Sequence, residues 1–231
     1  MKIRRREKGI FFVMASRFTI LIDGGFFTKC FRHENKRFPS ADDVEAIVSR
    51  ILAMCSEIKD KELLRVFYYD AHPVLKQEKN PVTGTIENFA ATPLARSATS
   101  LHENLAVKSN FTLRFGELKL FNWGAIYNKK KHALIQSTGI VETGIDDWKP
   151  NFIQKGVDLK IGLDIAEMAF KKTEETIILF SGDTDLIPAM KLARKEGLRV
   201  ITVVPGKSSL TKSLKEHSDD AIKVCIIKTT S

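Results

Sequence analysis

Arg17-Phe18-Thr19-Ile20-Leu21-Ile22-Asp23-Gly24-Gly25 is the stretch whose reading decides the fold. Apolar and β-branched side chains run together and then stop at an aspartate and two glycines. That is the pattern of a buried strand ended by a turn, and it places Asp23 at the strand's carboxyl end.

Downstream, Ser40-Ala41-Asp42-Asp43 reads as an N-cap with acids in the first turn. Val44, Ile47, Val48, Ile51 and Leu52 follow at helical spacing, so a helix is expected over residues 40–57. Residues 63–69 read as a second strand, ending at Asp70. The last third alternates regularly: helix 158–171, strand 176–180, helix 186–195, strand 198–204, helix 208–216 and strand 221–227. Such alternation predicts an α/β fold, a central mostly parallel sheet with helices on both faces in three layers. Residues 71–110 interrupt it with Pro73, Asn80-Pro81 and Thr83-Gly84, then a stretch of roughly helical spacing from residue 86 to 107. Residues 111–115 alternate as a strand, residues 118–121 continue or pair with it, and residues 128–132 read as an exposed basic loop. With no repeat and no linker, residues 17–231 are expected to form one domain with an insert at about 71–110. Residues 1–16 read as a basic tail, or as an over-long start with the true one at Met14.

The hydrophobic fraction of 43% and charged fraction of 28% are those of a soluble globular chain. No apolar run approaches the roughly 20 residues of a membrane helix. Cys30, Cys55 and Cys225 stand far apart, with neither a CxxC pair nor an even count. This excludes a disulfide framework and a zinc site, and points to reduced thiols in a cytoplasmic protein. The formal charge is +9; the first thirteen residues carry +4 of it, leaving +5 on the body. A basic body suits a polyanionic partner such as RNA or DNA. Nothing in the sequence sets the oligomeric state, and a homo-oligomer stays open.

In an open parallel sheet, ligands gather at the carboxyl ends of the strands. Asp23 ends the first strand, Asp183 and Asp185 follow strand 176–180, and Asp158 opens the helix leading back to that strand. Singly, each reads equally as a turn former or helix cap. Together they gather like charges at one edge, which calls for a cation or a shared proton. All-oxygen ligands select hard ions, Mg²⁺ or Mn²⁺. Asp164 is a carboxylate inside an apolar helix. It lies six residues after Asp158, about 240° around a helix of 3.6 residues per turn. The two converge only if the helix begins after Asp158.

Three runs in order, residues 18–25, Lys155-Gly156-Val157-Asp158 with Asp164 after it, and Ser181-Gly182-Asp183-Thr184-Asp185, resemble the NYN domain. This is the PIN-like nuclease family that includes the LabA-like proteins, and the resemblance covers residues 17–206. It implies a PIN-like α/β fold and a Mg²⁺-dependent ribonuclease site, with metal-binding roles at Asp23, Asp158, Asp164, Asp183 and Asp185. Where the family often carries an asparagine or similar polar residue after the first aspartate, this chain has Gly24-Gly25-Phe26-Phe27. Lys155 and Lys160 flank Asp158 as candidate phosphate contacts, and Ser181 and Thr184 could orient a ligand or cap the next helix. Lys129-Lys130-Lys131 is a basic run with Trp123, Tyr127 and Trp148 nearby, and the five histidines fall outside the motifs. Two other readings compete: a non-catalytic RNA- or protein-binding module of the same fold, and a phosphatase of the haloacid-dehalogenase kind. The latter needs an aspartate where Gly25 stands.

Overall fold

The computed structural model describes residues 16–144, 147–206 and 209–226, with the backbone of residues 4–5 and 10–11. The rest of the basic tail lies outside the described residues. Residues 17–23 form the central strand β1 (Arg17–Asp23), buried along nearly all of its length. It pairs in parallel with β2 (Glu62–His72) on one side and β5 (Thr176–Phe180) on the other. Beyond β5 come β6 (Arg199–Pro205) and β7 (Asp220–Val224), both parallel. Beyond β2 come β3 (Phe111–Ala125), parallel, and β4 (Trp148–Lys155), antiparallel. The seven-stranded order is therefore β7-β6-β5-β1-β2-β3-β4.

Period-two alternation in β1 sends Phe18, Ile20 and Ile22 to one face and Leu21 to the other. The first set joins a core with helices α1 (Gly24–Asn35), α2 (Ala41–Met54) and α3 (Pro93–Ala106). Leu21 joins a second core with α5 (Val157–Lys171), α6 (Ile187–Lys195) and α7 (Lys212–Glu216). The expected mostly parallel sheet, covered on both faces, is what the chain forms.

Helix α2 begins at the expected cap: Ser40 accepts from the Asp43 N–H while Asp43 accepts from the Ser40 N–H. This reciprocal pairing satisfies two donors that the first turn leaves open, a cap stabilising by about 1 kcal/mol. Four regions depart from the sequence expectation. The two glycines after Asp23 do not make a loop; they open α1, with Asp23 as its N-cap. Gly24 is required there, because a Cβ would lie 2.7 Å from the Tyr68 ring and 2.8 Å from the Tyr69 carbonyl oxygen. Residues 118–121 continue the strand begun at residue 111, one of the two expected readings, but that strand runs on to Ala125 and pairs with β4, a strand absent from the expectation. Pro150 and the lysines of β4 suit its place at the sheet edge. The lysine run is not a loop but the first turn of α4 (Lys129–Thr138), capped by Asn128 and closed by Gly139 at φ +71°. Residues 86–107 are not one helix: Ile86–Asn88 pairs with Gln77–Lys79 as a hairpin, and α3 starts at Pro93 behind the Thr92 cap.

Candidate functional site

β1 and β5 are neighbours, yet the chain leaves them toward opposite faces, into α1 from β1 and into α6 from β5. Their carboxyl ends therefore bound a crevice, the place where open α/β sheets bind ligands. Asp23 stands at that crevice with 8% of its surface exposed. Its Oδ1 accepts from the Phe26 N–H at 3.0 Å, and its Oδ2 accepts from the Ser181 hydroxyl at 3.0 Å. The Ser181 Oγ in turn accepts from the Asp183 N–H at 3.1 Å, so one buried hydroxyl ties the ends of the two strands together. Asp183 caps the following turn by accepting from the Asp185 N–H at 2.8 Å.

Helix α5 precedes β5 and packs on the sheet antiparallel to it, so its first turn arrives at the same edge with Asp158. The electrostatics record this convergence. Burial, and then the carboxylates of Asp158 and Asp183, push the Asp23 carboxyl above its ordinary range, against the lowering hydrogen bonds from Phe26 and Ser181. Partial burial, followed by Asp183 and Asp185, pushes Asp158 up as well. Carboxylates from three segments thus add to burial in disfavouring the charge of Asp23 and Asp158.

Asp164, grouped with the ligands by sequence, lies in a separate ion pair. Helix α5 begins at Val157, so Asp158 is inside it and the condition for the two to converge is not met. Asp164 is 8% exposed, and its oxygens accept from Arg114 Nη2 and Nε at 3.0 and 3.1 Å and from the Tyr69 hydroxyl at 2.8 Å. Burial and this carboxylate push the Tyr69 phenol far up. The bidentate pair ties α5 to β3 and the phenol ties it to β2, which holds the helix carrying Asp158 in place.

Lys155 and Lys160 are exposed, and their charges help hold the Glu117 carboxyl on β3 below its ordinary range, after the larger effect of Lys119. Thr184 is exposed in the turn after Asp183. The two tryptophans are half-buried, Trp123 with its ring centroid 6.3 Å from that of Phe89. Cys55 is buried, Cys30 half-buried and Cys225 exposed, all as free thiols.

Gln154 is a residue that sequence reasoning missed. A Cβ placed on Gly25 would lie 3.5 Å from both Asp23 Oδ1 and Gln154 Oε1, so the Gln154 amide sits beside the first aspartate. Its only sequence signal is its place just before Lys155-Gly156. The phenylalanines after the glycines pack: Phe27 is fully buried against Phe180, and Phe26 lies edge-on to Phe180. The Phe26 ring also fixes Gly182, where a Cβ would lie 2.5 Å from it. Gly182→Ala is therefore expected to lower stability by about 1–3 kcal/mol, as overpacking does. Urea denaturation should show that loss shrinking in the background of Phe26→Ala; an equal loss in both backgrounds would mean that the ring is not the obstacle.

The donor set, all carboxylate oxygens at a strand-end crevice, suits a hard divalent cation in its chemistry. Among the described residues no three carboxylate, imidazole or thiol groups converge as a ready cage.

Two curated proteins resemble parts of this chain. An uncharacterised protein y4oD of Sinorhizobium fredii is 32% identical over 68 residues, 29% of this chain and 32% of that protein. An uncharacterised protein MJ0482 of Methanocaldococcus jannaschii is 27% identical over 89 residues, 38% of this chain and 37% of that protein. The matches thus span about a third of each relative's length. Among solved structures, a protein of unknown function, VPA0982 from Vibrio parahaemolyticus, aligns over 91% of this chain and 93% of its own. It does so at 14% identity and a TM-score of 0.47. The model of the NYN domain matches residues 41–225, most of the chain, and the protein belongs to that PIN-like nuclease family.

Proposed function

We propose that this protein is a metal-dependent ribonuclease whose active site is the crevice between β1 and β5. The observation that carries the reading is the Asp23 carboxylate, held by Ser181 and raised in pKa by burial and then by Asp158 and Asp183. A buried acid kept among like charges costs stability, and such an arrangement is a mark of functional sites.

In this reading Asp23, Asp158, Asp183 and Asp185 hold Mg²⁺ or Mn²⁺. When bound there, the ion supplies Lewis-acid polarisation of a phosphodiester and an acidified water. Ser181 keeps Asp23 oriented across the crevice, and Thr184 lies beside the ligands. Asp164, with Arg114 and Tyr69, positions α5 and does not touch metal. Lys155 and Lys160 supply positive charge to the approaching phosphates, in keeping with the +9 net charge.

The test incubates purified protein with labelled single-stranded RNA, duplex DNA and an aryl phosphate, each in Mg²⁺, Mn²⁺ or EDTA. RNA cleavage that EDTA abolishes is the expected result. Binding of RNA with no cleavage in either metal would replace the nuclease with a binding module of the same fold, and hydrolysis of the aryl phosphate alone would replace it with a phosphatase.

A further inference from the structure

We infer that the cavity beside Asp23 is a base-binding subsite that takes one unpaired nucleobase of the bound RNA strand. The inference rests on the nuclease reading for the strand and adds to it where a base goes. The cavity, of about 420 Å³, lies between the start of α1, the end of β2, α3 and the β3–β4 pair. That volume falls within the range of small-molecule sites. Gly25 and Gln154 line it, and the same two residues flank the Asp23 carboxylate. A ligand in the cavity therefore touches the same residues that stand beside the aspartate.

The lining selects the part of the nucleotide that enters. Phe89 and Phe152 stand edge to face there, ring centroids 5.2 Å apart at 82°, and give apolar walls for a flat ring. Asp70 and Glu87 also line the cavity, and their charge keeps a phosphate out. Asp70 is fixed in place, accepting from the Ala71 N–H at 2.8 Å and bonded to the His102 ring nitrogen at 2.9 Å. A fixed carboxylate accepts hydrogen bonds from the amino edge of a base, as carboxylates do from cytosine. A base in a duplex has that edge paired, so the cavity takes bases from single strands.

The test measures binding of a labelled hexamer of oligocytidylate by fluorescence anisotropy, in EDTA so that the strand stays whole. Single abasic nucleotides are then walked through its six positions. One position is expected to weaken binding about tenfold, equivalent to about 1.4 kcal/mol and within the range for one stacked base. Ala98→Leu, which fills the cavity from α3, should erase the difference at that position while leaving salt-dependent strand binding. Gln154→Ala, on an exposed residue, should reduce it without touching the core. Equal binding of every abasic hexamer overturns the subsite and leaves the nuclease reading standing. So does discrimination that survives both variants, and failure of every hexamer to bind overturns the subsite too. Discrimination lost in the variants, in a protein that cuts no RNA with either metal, keeps the subsite and rejects the nuclease.

Discussion

Asp23→Asn is expected to reduce metal-dependent RNA cleavage by more than a hundredfold and to make the metal-free protein more stable. The first effect follows from removing a charged ligand, since even residues behind metal ligands cost about 10–100-fold when changed. The second follows from the burial of Asp23 among like charges. Asparagine keeps the shape and an oxygen for the Phe26 N–H, and it removes a charge that Asp158 and Asp183 oppose. A gain of about 0.5–2 kcal/mol is the size seen when functional strain is relieved.

The pH dependence has a definite sign. Because the folded-state pKa of Asp23 lies above its unfolded value of 3.8, the folded chain holds that proton more tightly than the unfolded one. Its stabilising contribution is complete below 3.8 and is lost as pH rises through the folded pKa. The advantage of the asparagine variant should therefore be full at neutral pH and fade as pH falls toward 3.8. Thermal melts of both proteins across that window test this, with and without Mg²⁺. Added Mg²⁺ should raise the Tm of the wild type and leave that of Asp23→Asn nearly unchanged. A variant that melts lower than the wild type at neutral pH without metal would contradict the account.

The second large effect concerns the ion pair behind the site. Arg114→Met should destabilise the fold by about 2–4 kcal/mol, somewhat less than the roughly 3–5 kcal/mol for orphaning a fully buried charge because Arg114 is itself partly exposed. Asp164 would keep only the Tyr69 hydroxyl as its partner. The double variant Arg114→Met with Asp164→Leu removes both charges, and it should recover most of the loss. Guanidinium denaturation of the two single variants and the double one gives the coupling directly. Additive losses would show that the pair contributes nothing as a pair.

Much of this fold was legible where burial leaves a local signature. β1, β5 and β6 are runs of buried apolar and β-branched residues, and each was readable as a strand. Helix α2 announces itself through Ser40 and Asp43. By contrast, α1 was hidden because Gly24-Gly25 reads as a turn, while the reason for Gly24 is the Tyr68 ring, more than forty residues away. β4 was hidden because its alternation of Trp148, Pro150 and Phe152 with Lys149 and Asn151 is short and contains a proline, which argues against a strand except at a sheet edge. At the site, strand ends alone directed attention to Asp23, Asp183 and Asp185, while Asp158 rested more on the family resemblance. The ion pair of Asp164 was not legible, because Tyr69 and Arg114 are 95 and 50 residues distant and only the folded sheet brings them to it. Gln154 escaped for the same reason, being placed beside Gly25 by the β3–β4 pairing.

Gly156 is the whole connection between β4, which ends at Lys155, and α5, which begins at Val157. Its φ of +79° lets the chain reverse in one residue, and nothing lies within 4 Å of where a side chain would start. Exchange of this glycine is thus a matter of backbone conformation alone, costing about 1 kcal/mol. A change in chain length is another matter. One residue more or less turns the helix by about 100° relative to the sheet, carrying Asp158 off the crevice and Asp164 off Arg114 together. Divergence along this lineage therefore has freedom of spelling at the joint and none of length, and gaps between related sequences should fall elsewhere.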